Sequence, residues 1–384
     1  MEKEHIISGQ KPRYEILDGL RGVAALIVVA FHLFEAYSPH PSLQIINHGY
    51  LAVDFFFALS GFVIGYAYDD RWSQGMTTGT FFVRRLIRLQ PMVFAGATFG
   101  MLLYFFGAAD IENTSVGMLL AVWLLSCFLI PTTSSFDIRG WGEGYALDGP
   151  QWSLAFEYIA NILYALFIRR FPRWLLVAFV CVAALLSLDL GLDIDTLGFL
   201  AGRESQQYTF IGGWSLDPTQ LYIGFIRLLY PFFAGLLVYR LGMKIRAGRA
   251  AFALCSVIII FVLAMPRVGL GATDWTNGLY EALCVLVVFP VVLMIGSGSN
   301  KLGRRELGLC RWLGRISYPL YITHYPLIYM AFKWRYTYDN LPLSSHIMVC
   351  VSLFVLSIGV AAAFERLYDM PVRKWLAGRL RMAK

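Results

Sequence analysis

The sequence predicts an all-α integral membrane protein of about ten transmembrane helices plus one re-entrant or interfacial segment, in a single domain spanning residues 1–384. Two observations carry this expectation. The first is composition: 58 % of the residues are hydrophobic and 15 % charged, against about 25 % charged in an ordinary soluble domain. Mean hydropathy is +0.60. A soluble core cannot enclose that much apolar surface, and the same figures exclude disorder, collagen and coiled coil. The second is the rhythm with which apolar runs alternate with basic connections.

Apolar runs fall near 18–38, 51–68, 91–108, 115–131, 150–168, 175–191, 220–238, 250–266, 278–296, 314–332 and 346–364. A span needs about 20 such residues. The stretches 1–21, 69–90, 169–174, 239–250, 297–316 and 365–384 hold 26 of the 32 Lys and Arg, whereas the alternating connections hold 5 and Arg227 lies inside a run. Basic residues mark the cytoplasmic side, so both termini are expected there. That requires an even number of crossings. We therefore read 115–131, preceded by Asp110, Glu112 and Asn113, as dipping in and returning on the outer side. The net charge of +7 is thus a topology signal rather than a nucleic-acid footprint. The six cysteines form no CxxC and five lie in apolar runs, which suggests packing rather than disulfides or zinc. No small-residue cleavage site follows the first run, so it reads as a retained helix.

Ionisable residues inside the lipid are costly and usually face a cavity. Arg21 and His32 in the first run are eleven residues apart, three turns and roughly 16 Å of rise, so both lie on one face. His32, Glu157, Arg227 and His324 fall at similar depths, roughly 9–12 Å from the outer ends of their runs, with Asp54 and Glu281 nearer to theirs. A histidine and a carboxylate at one depth suit a general-base pair, which points to His32 with Glu157. The structural alternatives are a helix cap for Asp54, an ion pair of Arg227 with Glu281, and a satisfied core histidine for His324. Arg84, Arg85 and Arg88 in FFVRRLIRLQP form a basic edge one turn long. Ordinary topology explains bare charges, but paired guanidiniums also suit phosphate. No P-loop, GxGxxG, HExxH or supported GxSxG is present.

These residues, in order, resemble the membrane-bound acyltransferase 3 family of bacterial O-acyltransferases. The carriers are Arg21-x10-His32, GYLAVDFFFALSGFVIG, Arg85-x-x-Arg88, WSLAFEY, SYPLYITHYPL and the closing FER at 364–366. Two positions depart from the family pattern, Phe156 where a first acidic residue is common and Ala52 where Gly is common; neither removes a charged role. The resemblance implies a multi-pass protein of the bacterial inner membrane that moves an acyl group, usually acetyl, from cytoplasmic acyl-CoA to a hydroxyl of a glycan or related acceptor. It carries the family's essential pair over to Arg21 and His32, its arginine motif to Arg85 and Arg88, and its carboxylate to Glu157; on that basis we expect His32 as the base, held by Glu157, with Arg227 or a backbone donor steadying the oxyanion. Arg21, Arg85 and Arg88 would hold the acyl-CoA, and Asp54, Trp152 and His324 the acceptor. The expected partners are acyl-CoA, the hydroxyl acceptor and the lipid bilayer; neither metal nor nucleic acid is expected. A proton-coupled secondary transporter is the alternative, since intramembrane His, Glu and Arg also build relays. The absence of an inverted repeat and of paired broken helices speaks against it. Trp141, Tyr145 and Trp214 in the long outer loops fit either sugar stacking or an interfacial aromatic belt.

Overall fold

The computed structural model describes residues 11, 13–38, 43–108, 114–201, 203, 206–271, 273–299 and 301–380. Asp110, Glu112 and Asn113 lie outside the described residues. Among those residues the chain is all helical, with no strand. The helices are α1 (Glu15–Glu35), α2 (Ala52–Ser73), α3 (Thr78–Leu103), α4 (Val116–Cys127), α5 (Gln151–Leu166), α6 (Arg173–Gly191) and α7 (Pro218–Leu241). Then follow α8 (Ala251–Ala264), α9 (Trp275–Leu283), α10 (Phe289–Gly298), α11 (Arg304–Thr337), α12 (Leu343–Phe364) and α13 (Met370–Arg379). Wider turns at Cys284–Val288 and Glu365–Asp369 join α9 to α10 and α12 to α13 as continuous rods. Seven rods among the described residues are long and apolar enough to cross a membrane.

The short fourth run forms a single capped helix. Ser115 caps α4 by accepting from the Met118 amide at 3.2 Å, and the helix then has 12 residues, about 18 Å, too short for a crossing. Near its start, Thr114 bonds Tyr104 at 2.7 Å. At its end, the Cys127 carbonyl accepts from Gln90 at 2.6 Å and Phe128 packs on Phe94. Gln90 and Phe94 lie halfway along α3, so α4 ends beside the middle of that helix. The following segment, 132–149, also meets this helix: the Tyr104 hydroxyl donates to the Ile138 carbonyl at 3.0 Å.

Two helix pairs form the frame. α1 runs parallel to α11, with Gly22 against Leu313 and His32 beside His324. α2 packs against α7 so closely that a Cβ on Gly61 would stand 1.8 Å from the Phe232 carbonyl oxygen. One on Gly235 would stand 2.0 Å from that of Ala58. Small residues replace the hydrophobic drive that lipid removes, by letting backbones touch. α7 is bounded by sequence signals of its own: Asp217 caps the amide of Thr219 at 2.9 Å ahead of Pro218, and Gly242 closes it at φ 65°.

Candidate active site

His32 occupies the last turn of α1, three residues from its end, because the helix stops at Glu35. That brings a carboxylate to it from one turn away. His32 Nδ1 donates to Glu35 Oε2 at 2.7 Å, with 18 % and 38 % of the two side chains exposed. A carboxylate on Nδ1 fixes the proton there and leaves Nε2 its lone pair. The ring is walled by Phe31 and Tyr325, each edge-on at 4.7 Å, and by His324 at 5.4 Å between centroids. His324 is fully buried. Its Nδ1 donates to the carbonyls of Leu320 and Tyr321 at 3.1 and 3.0 Å, while its Nε2 has no partner.

The expected pairing of His32 with Glu157 is not made. Glu157 accepts from Arg85 Nη2 at 2.5 Å and from the Ser60 hydroxyl at 2.8 Å, tying α5 to α3 and α2. Similar depth did not bring the two residues together, since depth does not say which way a helix turns its side chain. Arg85 is correspondingly committed to Glu157 rather than free for phosphate, and is 7 % exposed.

Arg227 and Asp54 are also corrected. Their ion pair is buried, Nη2 to Oδ2 at 2.7 Å, at 1 % and 0 % side-chain exposure. Arg227 further donates to the carbonyls of Gly212 at 2.8 Å and Tyr50 at 2.7 Å. These bonds engage Nε, Nη1 and Nη2 of Arg227 in a buried knot around Asp54, a pairing the sequence reading did not make. Trp152 packs 5.1 Å from the guanidinium, 8 % exposed. Glu281, expected as the partner of Arg227, instead accepts from Tyr50, Thr209, Asn277 and the Phe210 amide.

At the other end of α1, Arg21 shares the α11-facing side with His32. It donates to Ser317 Oγ at 2.8 Å and to the Gly314 carbonyl at 2.9 Å, with Asp18 at 3.3 Å. Arg373, Arg21 and Arg85 lie near enough to Arg88 to repel its charge, and Asp18 opposes them. Arg88 makes no hydrogen bond or ion pair among the described residues. Arg373 comes from α13, which packs against α3. Sequence reasoning did not single it out; the available signal was the basic stretch 365–384. Arg373 pairs with Asp369 at 2.9 Å, as Arg85 does with Glu157 and Arg21 with Asp18, so of these four guanidiniums Arg88 alone lacks a carboxylate partner among the described residues, and its excess positive charge favours an anion.

The loop 132–149 closes over the His32 end. Glu143 accepts from the hydroxyls of Tyr325 at 3.2 Å and Tyr329 at 2.5 Å. Arg139 lies 3.4 Å over the Tyr329 ring, and Trp141 packs on Tyr329 and Phe332. Gly149 has no side chain where a Cβ would stand 2.7 Å from the Tyr325 ring. Of the loop aromatics, Trp141 is exposed, whereas the buried Tyr145 donates to the Leu129 carbonyl at 2.8 Å.

Burial lifts the Glu143 carboxyl to about 7; the Tyr329 hydroxyl and Arg139 pull against this, and the charge of Glu35 adds to it. The docked loop therefore retains a proton that an undocked loop releases. Docking weakens as pH rises from the ordinary carboxyl range to about 7, and the loss is complete above it. Cleavage of residues 132–149 by added protease is expected to rise with pH across that window in the native chain and to stay flat in Glu143→Gln. A native profile without slope contradicts the assignment.

This is a helical membrane protein whose first helix carries Arg21 toward one end and a carboxylate-held imidazole at the other. A profile described as an acyltransferase domain matches residues 14–366, and the chain belongs to that family, acyltransferase 3. Over 163 residues, 40 % of the chain, it is 33 % identical to "Protein 2 in picA locus" of Rhizobium radiobacter, covering 81 % of that protein. It is 25 % identical over 334 residues to the peptidoglycan O-acetyltransferase OatA of Listeria monocytogenes, a match that covers 81 % of the chain and 49 % of the relative. To the O-acetyltransferase OatA of Staphylococcus aureus it is 24 % identical over 380 residues, 94 % of the chain and 58 % of the relative. The chain thus spans about half the length of the OatA proteins it matches. No solved structure gives a significant match.

Proposed function

We infer that this protein is a membrane O-acyltransferase that moves an acyl group, acetyl by analogy with its OatA relatives, from acyl-CoA to a hydroxyl of a glycan acceptor. The observation that carries the reading is the polar line on α1. Arg21 stands by the arginine cluster, and His32, with Nε2 unencumbered, lies eleven residues further along the same face. That rise, roughly 16 Å, is comparable with an extended pantetheine arm. The basic end faces the cytoplasm of the bacterial inner membrane in this reading, so both termini are inside and the His32 end lies toward the outer face.

The donor's phosphates bind at Arg88, Arg21 and Arg373, and the thioester reaches His32. Nε2 takes the proton of the acceptor hydroxyl as its oxygen attacks the thioester carbonyl. Glu35 holds the ring and balances the imidazolium, the part first expected of Glu157. The tetrahedral intermediate collapses with cleavage of the C–S bond, and the imidazolium returns the proton to the leaving thiolate. Atoms and charge balance without a metal or redox partner. His324 and Tyr325 line the place where the hydroxyl arrives.

Arg88→Ala and Arg373→Ala are each expected to weaken acetyl-CoA binding by about 10–100-fold, the worth of a charge-assisted contact. Equilibrium binding to the purified chain measures this. Unchanged affinity in well-folded variants of both would reduce the cluster to a topology signal.

A further inference from the structure

The basic end carries a second concavity, separate from the Arg88 cluster. It is a cleft of about 630 Å³ between the N-terminus of α1, the C-termini of α2 and α7 and the start of α6, within the size range of small-ligand sites. Tyr14, Trp72 and Tyr239 supply aromatic wall, and Arg169, Arg173 and Lys244 supply charge. None of Arg21, Arg85, Arg88 or Arg373 lines it.

Its charges do not cancel. Arg240 is matched by Asp69 at 2.8 and 3.1 Å, and Asp70 by Lys11 at 2.6 Å. Arg169, Arg173 and Lys244 have no ion-pair partner among the described residues. Arg169 is also held in place. Its guanidinium lies 4.1 Å from the centre of the Trp72 ring, and its Nε donates to the Ala165 carbonyl at 2.6 Å. Trp72 is anchored in turn: its Nε1 donates to the Tyr164 hydroxyl at 3.0 Å, and that hydroxyl donates to Asp69 at 2.7 Å. Arg240 bonds the carbonyls of Ile168 and Arg169, steadying the turn that presents the fork. Charges that serve topology alone are solvated and unpinned. Here a stacked guanidinium, whose terminal nitrogens make no hydrogen bond among the described residues, lines an open cleft, a geometry that takes a phosphate bidentately.

We propose that this cleft is a binding site for a phosphate-bearing ligand, held by Arg169, Arg173 and Lys244 against the Tyr14–Tyr239 wall. Two sources share that chemistry, a nucleotide in solution and the headgroup of an anionic phospholipid.

The test uses the full chain in detergent with two probes. The first is ADP; the second is phosphatidylcholine vesicles with and without phosphatidic acid. The native chain is expected to bind one probe above its control. Arg169→Ala and Arg173→Ala should each weaken that binding by about tenfold, and Arg249→Ala, an exposed basic residue outside the cleft, should leave it unchanged. Lys244→Ala, at an exposed position, repeats the measurement where Arg169→Ala fails to fold. The identity of the responding probe selects the source. Binding of neither probe, or binding insensitive to all three cleft variants, overturns the proposal. ADP binding lost in Arg88→Ala but kept in the cleft variants also overturns it, while supporting the acyl-CoA site at the Arg88 cluster.

Discussion

His32→Ala is expected to lower acyl transfer by about 10²–10⁴-fold, the usual worth of a positioned general base, while acyl-CoA binding at the far end of α1 stays within a factor of about three. The split follows from geometry. The imidazole contacts Glu35, Phe31, Tyr325 and His324 and none of the arginines. Free-thiol release from acetyl-CoA in the presence of acceptor reads the rate, and equilibrium binding reads the affinity. Glu35→Gln keeps the shape and removes the charge that balances the imidazolium, so it should fall between native and His32→Ala. Glu157→Gln should act differently, by freeing Arg85, and its main effect belongs on donor affinity. An undiminished rate in His32→Ala removes the proposed base. A larger loss of rate in Glu157→Gln than in Glu35→Gln would restore the pairing first expected.

Asp54→Ala should be the most destabilising single change in the bundle, by about 3–5 kcal/mol, because it leaves a buried guanidinium uncompensated. Arg227 is 1 % exposed and takes two of its contacts from backbone carbonyls, so it cannot swing to water. Removing both charges together, as Asp54→Leu with Arg227→Met, should recover most of that loss, since well-packed apolar replacements of buried pairs are often neutral or better. Thermal unfolding in detergent measures both. A single variant as stable as the native chain, or a double variant worse than the single, contradicts a structural role for the pair.

How far the sequence could be read depended on the physics of each feature. Hydropathy and charge alternation are one-dimensional, and they predicted the helical rods. In the run 115–131, expected to dip in and return, Ser115 caps a short helix that ends beside Gln90 and Phe94. Periodicity put Arg21 and His32 on one face, and both meet α11. Partnerships between helices were not legible. Depth along the membrane normal says nothing of rotation about a helix axis, so Glu157 was matched with His32 when it meets Arg85, and Arg227 with Glu281 when it meets Asp54. Glu35 was readable in principle, three residues from His32 and so one turn away, but the first run was taken to continue to residue 38, which placed Glu35 inside the span without a role. Arg373 and Glu143 reach their sites through tertiary packing of α13 and of the 132–149 loop, which no local pattern announces.

The central claim is that one imidazole is reached by donor from the arginine end and by acceptor from the opposite face. His32→Cys in sealed, outward-facing membrane vesicles tests it, with labelling by a membrane-impermeant thiol reagent compared with the native chain to subtract Cys181 and Cys350. The account predicts labelling from the outer face that slows when acetyl-CoA is enclosed inside. A site unlabelled from outside, or labelled at a rate indifferent to acetyl-CoA, would contradict it.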